Sequence, residues 1–180
     1  GDPARKNWRE VLAHRSEVMV AGLDAFATHL LLLEREGELP YLRIVDLQGG
    51  AGDLLGASRR IAFDEPAYNA APGANPEFAT EFVRFQYESF VTPRSVYDYN
   101  VRTGERALRK QQPVLGDYDR SLYASERIHA TAADGTKIPV SLVYRRETPR
   151  DGSAPLLLYG YGSYEISVPV TFSSNRLSPL

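Results

Sequence analysis

The 180 residues carry 21 Lys and Arg against 23 Asp and Glu, a formal net charge of −2, with 43% hydrophobic and 11% aromatic residues. That composition suits a packed globular chain, and a near-neutral balance without a long basic run gives no electrostatic footing for nucleic acid or an anionic membrane surface. With no cysteine, disulfides, thiol nucleophiles and cysteine zinc sites are excluded, and no run reaches the roughly 18 apolar residues of a membrane span. The cytoplasm is the expected compartment. The start, Gly1-Asp2-Pro3-Ala4-Arg5, is neither a methionine nor a signal peptide, so the chain is expected to begin inside a longer protein.

In residues 7–16, Trp8, Val11 and Leu12 fall at near-helical spacing, which suits a short helix, a turn or a peripheral strand. Residues 18–22, 28–35 and 41–47 then form three apolar runs bounded by Gly, Asp or Pro, the pattern of an antiparallel meander. A glycine-rich turn follows at Gly49, Gly50 and Gly52. No Lys-Ser/Thr pair or helix pattern comes after it, so it is not a nucleotide loop. Residues 60–63 read as a short strand and 66–76 as a loop rich in Ala, Asn, Gly and Pro.

Residues 81–87 alternate apolar with polar, 95–101 do so in part, and Thr103-Gly104 closes a hairpin into 106–108. Repeated four-strand units of this kind are what propeller blades need, and about two are visible. The rhythm ends at Gln112-Pro113, the expected boundary between a first domain, 1–112, and a second, 113–180. Beyond it, 123–131 and 137–145 form an antiparallel pair around the hairpin signal Asp134-Gly135.

Pro155-Leu156-Leu157-Leu158 reads as a strand buried on both faces, as in a parallel sheet, with Tyr159-Gly160-Tyr161-Gly162-Ser163-Tyr164 as the loop at its C-terminal end. Open α/β sheets place their chemistry at such ends. Glycines let a ligand approach the backbone and the tyrosines bring phenol donors to the same rim.

That loop, with Asp134-Gly135-Thr136-Lys137-Ile138-Pro139 before it and Asn175-Arg176-Leu177 after it, resembles the prolyl oligopeptidase family of serine peptidases. The run from Ser89 to Asn100 (Ser-Phe-Val-Thr-Pro-Arg-Ser-Val-Tyr-Asp-Tyr-Asn) and Val114-Leu115-Gly116-Asp117-Tyr118-Asp119 are closer to its oligopeptidase B branch. The ordered series of motifs spans essentially the whole chain. The resemblance implies a seven-bladed β-propeller capping an α/β-hydrolase domain that cuts short peptides after basic residues, without metal or organic cofactor. The expected fold is therefore mainly β: the last propeller blades, followed by the first strands of the hydrolase domain.

By that resemblance Tyr161 is the oxyanion donor, beside a backbone N–H next to the nucleophile. On the residues alone, an aromatic pinning a turn is the competing reading. Tyr164 stands where relatives place an aromatic near the substrate, and a packed ring is the alternative. Glu165 replaces a glycine common in relatives. No Gly-x-Ser-x-Gly elbow occurs, since Ser163 is followed two residues later by Glu165.

His14, His29 and His129 fit no triad and have no metal-ligand spacing. In the family the Asp and His follow the Ser in chain order, so all three are expected beyond Leu180, leaving this chain inert alone. Its partners would be a short peptide and the remainder of the polypeptide. Charge runs such as Glu34-Arg35-Glu36 and Glu126-Arg127 read as solvated faces. The rival reading is a non-catalytic β-rich interaction module in which residues 159–164 are merely a turn.

Overall fold

The computed structural model describes residues 4–8, 10, 12–48, 58–164, 166–177 and 180. The start at Gly1, Val11, the glycine turn at Gly49, Gly50 and Gly52, and Glu165 lie outside them. Among the described residues a 3₁₀ turn, Arg5–Asn7, forms at the start of the stretch that suited a short helix, a turn or a peripheral strand. A short helix needs an apolar face to bury, and Trp8 is exposed.

Two four-stranded antiparallel meanders follow. The first comprises β1 (Met19–Ala25), β2 (His29–Glu36), β3 (Leu39–Asp46) and β4 (Ser58–Arg60), side by side in chain order. Leu31 and Leu32 on β2, Leu42, Ile44 and Val45 on β3 are buried. β2 and β3 are joined by Gly37 and Glu38 alone, both with positive φ (53° and 68°), the backbone that a two-residue hairpin turn requires to match strand twist. The strand expected at 60–63 ends instead at Arg60. Ile61 continues the pairing by one bond, its N–H reaching the Leu42 carbonyl at 2.8 Å, and then turns into the core.

The second meander comprises β5 (Tyr68–Pro72), β6 (Phe82–Ser89), β7 (Ser95–Asn100) and β8 (Arg106–Gln111). β5 lies within the expected 66–76 loop. The composition is turn-like, but Tyr68 and Ala70 face the core and the main chain pairs fully with β6. Gly73 passes close to β6, where a Cβ would sit 3.2 Å from the Arg84 carbonyl oxygen. Asn75 extends the ladder with its side chain, accepting from the Arg84 N–H at 2.7 Å and donating to its carbonyl at 3.0 Å. The alternation read in 81–87 is present, with Val83, Phe85 and Tyr87 inward.

The two sheets share one core: Leu31, Leu42 and Ile44 from the first, Tyr68, Val83, Phe85 and Tyr87 from the second, with Phe63 stacked on Tyr87 at 4.8 Å. Burying a side chain such as Phe85 stabilises by about 1.5–3 kcal/mol. The Ala27 N–H bonds to the Phe78 carbonyl and stitches one sheet to the other at 2.9 Å.

Beyond Gln111 a 3₁₀ turn, Arg120–Leu122, leads into a separate antiparallel hairpin, β9 (Tyr123–Thr131) and β10 (Lys137–Arg145). Asp134 accepts from the Thr136 N–H at 2.9 Å, and Gly135 takes φ 88°, so the Asp-Gly signal sits in the turn as read. The leucine strand is overturned. Leu156, Leu157 and Leu158 form no strand and are 80, 86 and 79% exposed. A parallel strand buried on both faces needs neighbouring strands and covering helices. Among the described residues none flanks this stretch, and the only α-helix is the one-turn α1 (Ser174–Leu177).

Candidate functional site

The chain leaves β10 through a polar loop and runs irregularly through 154–173. Tyr161 is 50% exposed and Tyr164 88% exposed. Among the described residues no group bonds to either hydroxyl, so both phenols are donors facing solvent. Tyr164 takes φ 56°, an uncommon left-handed conformation for an aromatic residue. The two tyrosines share one loop but, among the described residues, meet no acid, base or nucleophile. The structure assigns them no partner in chemistry.

What it does show is how that loop is held. The Ile166 N–H closes a turn on the Ser163 carbonyl at 3.1 Å. Ser167 donates its hydroxyl to Glu38 in the β2–β3 turn, and the Phe172 N–H donates to Glu88 Oε2 at 3.0 Å. The Phe172 ring meets Tyr118 edge-on at 5.4 Å, and the Arg176 guanidinium lies 5.3 Å from the Phe90 ring centre. Val170 and Leu177 are buried. The hairpin adds its own tie, from the Arg127 guanidinium to the Gly37 carbonyl.

The histidines stay apart from this loop's chemistry. His14 and His129 are exposed, and His129 pairs across β9–β10 with Pro139. His29 is buried, stacked on Phe26 at 4.5 Å, with Nδ1 3.2 Å from Thr28 Oγ1 and Nε2 without a partner among the described residues. Burial lowers its pKa and keeps the ring neutral. Thr28 and His29 are no nucleophile–base pair, because Asp46, opposite His29 in register, makes no bond that would orient the imidazole.

Sequence reasoning missed the buried carboxylates. Glu34, expected on a solvated face, is fully buried and held by Arg15 at 2.6 Å, Arg43 at 2.9 Å and Arg60 at 2.9 Å. Burial alone would raise its pKa, but hydrogen bonds from Arg43, Arg15 and Arg60 outweigh it and hold the carboxyl at about 2. Glu126 is likewise engaged, by Arg150 at 2.8 Å and by the Tyr144 hydroxyl. Glu65 accepts from Tyr87 at 2.5 Å, Thr92 at 3.0 Å and Arg120 at 2.9 Å, tying the second sheet to the segment before β9. Tyr118 reinforces that tie through the Val91 carbonyl, and burial pushes its phenol up to about 12. Period two gave no signal for it: Glu34 lies with Leu32 on the face of β2 opposite Leu31, and that face is buried as well.

A family model described as the prolyl oligopeptidase N-terminal beta-propeller domain matches residues 1–112. Among curated proteins the chain is 44% identical over 178 residues to a dipeptidyl aminopeptidase BI of Pseudoxanthomonas mexicana, covering 98% of this chain and 24% of that protein. It is 35% identical over 167 residues to protease 2 of Moraxella lacunata, covering 93% and 23%. Among solved structures, oligopeptidase B from Trypanosoma brucei, in a closed form with covalently bound antipain, aligns with a TM-score of 0.81 at 32% identity, over 93% of this chain and 24% of that one. Oligopeptidase B from Leishmania major aligns at 0.79 and 27%, over 93% and 24%. The chain thus spans about a quarter of the length of the relatives it matches. With the propeller model covering more than half of its residues, and two four-stranded meanders found in that stretch, the chain belongs to the prolyl oligopeptidase family.

Proposed function

We propose that residues 1–180 are part of a serine-type oligopeptidase that hydrolyses short peptides after Lys or Arg, in the cytoplasm. The observation that carries this reading is the likeness to the T. brucei oligopeptidase B, in which antipain is covalently bound. In this reading residues 1–112 are propeller blades and 113–180 open the peptidase domain, with the nucleophile, its histidine and its carboxylate supplied from outside residues 1–180. The serine oxygen attacks the scissile carbonyl while histidine takes its proton. Tyr161 donates its hydroxyl to the oxyanion, and Tyr164 lines the substrate pocket. Collapse expels the amine, which takes the proton from histidine, and water then cleaves the acyl ester. No cofactor is required, and the propeller limits entry to short, unfolded peptides.

A second reading, release of dipeptides from free N-termini, is favoured by the 44% identity to a dipeptidyl aminopeptidase. The full polypeptide that carries residues 1–180 distinguishes them with two fluorogenic substrates, one N-blocked with Arg at the cleaved bond, one an unblocked dipeptide. Cleavage of the blocked substrate, abolished by a serine-directed acylating reagent, is expected. Cleavage of the unblocked dipeptide alone selects the second reading, and turnover of neither contradicts both.

A further inference from the structure

The exposed loop bearing Tyr161 is tied to the sheets at two points, and both acceptors are carboxylates. Glu38 takes the Ser167 hydroxyl and Glu88 takes the Phe172 N–H. The two stand at corresponding corners of the two meanders, where the second strand of each passes into the third: Glu38 in the β2–β3 turn, Glu88 at the end of β6. From Ser167 the restraint passes into the tyrosine segment within one turn, through the Ile166–Ser163 bond.

Glu38 occupies a position ill suited to it. Its φ of 68° places the Cβ against its own backbone, and a two-residue hairpin turn of this kind ordinarily takes Gly or Asn there. A non-glycine residue persists in such a conformation where surrounding structure over-determines it, most often at functional sites. Here the side chain reaches the loop, while the neighbouring Gly37 carbonyl receives Arg127 from β9. The strained residue and the 129-residue separation of its contact point to one purpose.

We propose that Glu38 is a positioning residue that fixes the 159–164 loop against the first sheet, held in a strained conformation because its carboxylate is the anchor, while Glu88 holds the continuation of the same segment, at Phe172, against the second. The catalytic consequence rests on the Tyr161 reading above; the anchoring does not.

Hydrogen exchange by mass spectrometry on the full polypeptide carrying residues 1–180 tests it. Glu38→Gly relieves the strain and removes the anchor together. Exchange across 36–39 is expected to slow by about fivefold or more, while exchange across 163–168 accelerates by about tenfold. Glu38→Gln keeps an acceptor oxygen and is expected to leave 163–168 near the parent rate. Glu88→Ala loosens 170–174 in the same assay. Unchanged exchange at 163–168 in Glu38→Gly, or loosening of turn and loop together, overturns the proposal. In turnover, Glu38→Gly is expected to lower kcat through Tyr161 and to raise KM through Tyr164, and Glu38→Gln to restore both. If the exchange pattern holds while Tyr161→Phe leaves turnover intact, the anchor stands and the oxyanion reading falls.

Discussion

Each four-stranded sheet holds a carboxylate with arginines from other strands of the same sheet, and the two clasps differ in their access to water. In the first sheet Glu34 is fully buried, and Arg43 and Arg60 reach it from β3 and β4. In the second, Asp98 on β7 takes Arg84 from β6 at 2.7 Å and Arg109 from β8 at 2.8 Å, but both guanidinium groups are about half exposed. Asp98 is flanked from both sides and Glu34 is reached by strand arginines from one side only, and the energetics differ too. A charge that loses its partner in a dry site cannot be re-solvated, whereas an arginine at the surface returns to water at little cost. The first clasp is therefore a knot inside the sheet, and the second a brace on its face.

The largest effect is expected at the knot. Glu34→Ala leaves Arg15, Arg43 and Arg60 without their shared acceptor and should cost about 3–5 kcal/mol, read as a fall in the urea midpoint of the full polypeptide. Acid should open the same knot. Because the folded pKa of Glu34, about 2, lies below its ordinary value of 4.5, its stabilisation is fully present above about pH 4.5 and is lost as pH falls towards 2. Asp98 contributes with the same sign, its pKa lowered first by the Arg84 hydrogen bond. The urea midpoint measured between pH 5 and pH 2.5 should fall more steeply in the parent than in a Glu34→Gln variant. A parallel decline in both would remove the distinction drawn for Glu34.

The smallest effect belongs to the brace. Asp98→Asn should cost about 1 kcal/mol or less, shrinking further as salt is raised. A loss equal to that of Glu34→Ala would erase the contrast between the sheets.

Much of the strand pattern was legible because local rules decided it. The meander 18–47, the alternation through Val83, Phe85 and Tyr87, and the Asp134-Gly135 hairpin each follow from period two and from turn chemistry. β5 was not legible, since Asn69, Ala70 and Ala71 have poor strand propensity and pair only because β6 supplies the partner. The leucines at 156–158 misled for the converse reason: an apolar run specifies a buried strand only where a neighbour exists to bury it. Glu34 was hidden because its three arginines come from 19 residues before and from 9 and 26 residues after it. Charge adjacency along the chain says nothing of such partners. Tyr161 and Tyr164 emerged from motif resemblance, and the structure adds the tether through Glu38 that no local pattern carries.

The most direct measurement is turnover of an N-blocked arginyl peptide by the full polypeptide carrying residues 1–180, before and after Tyr161→Phe. Loss of the oxyanion donor should lower kcat by about 10²–10³ with KM little altered. An unchanged kcat would show that the Tyr161 hydroxyl takes no part in the chemistry and would contradict the account at its centre.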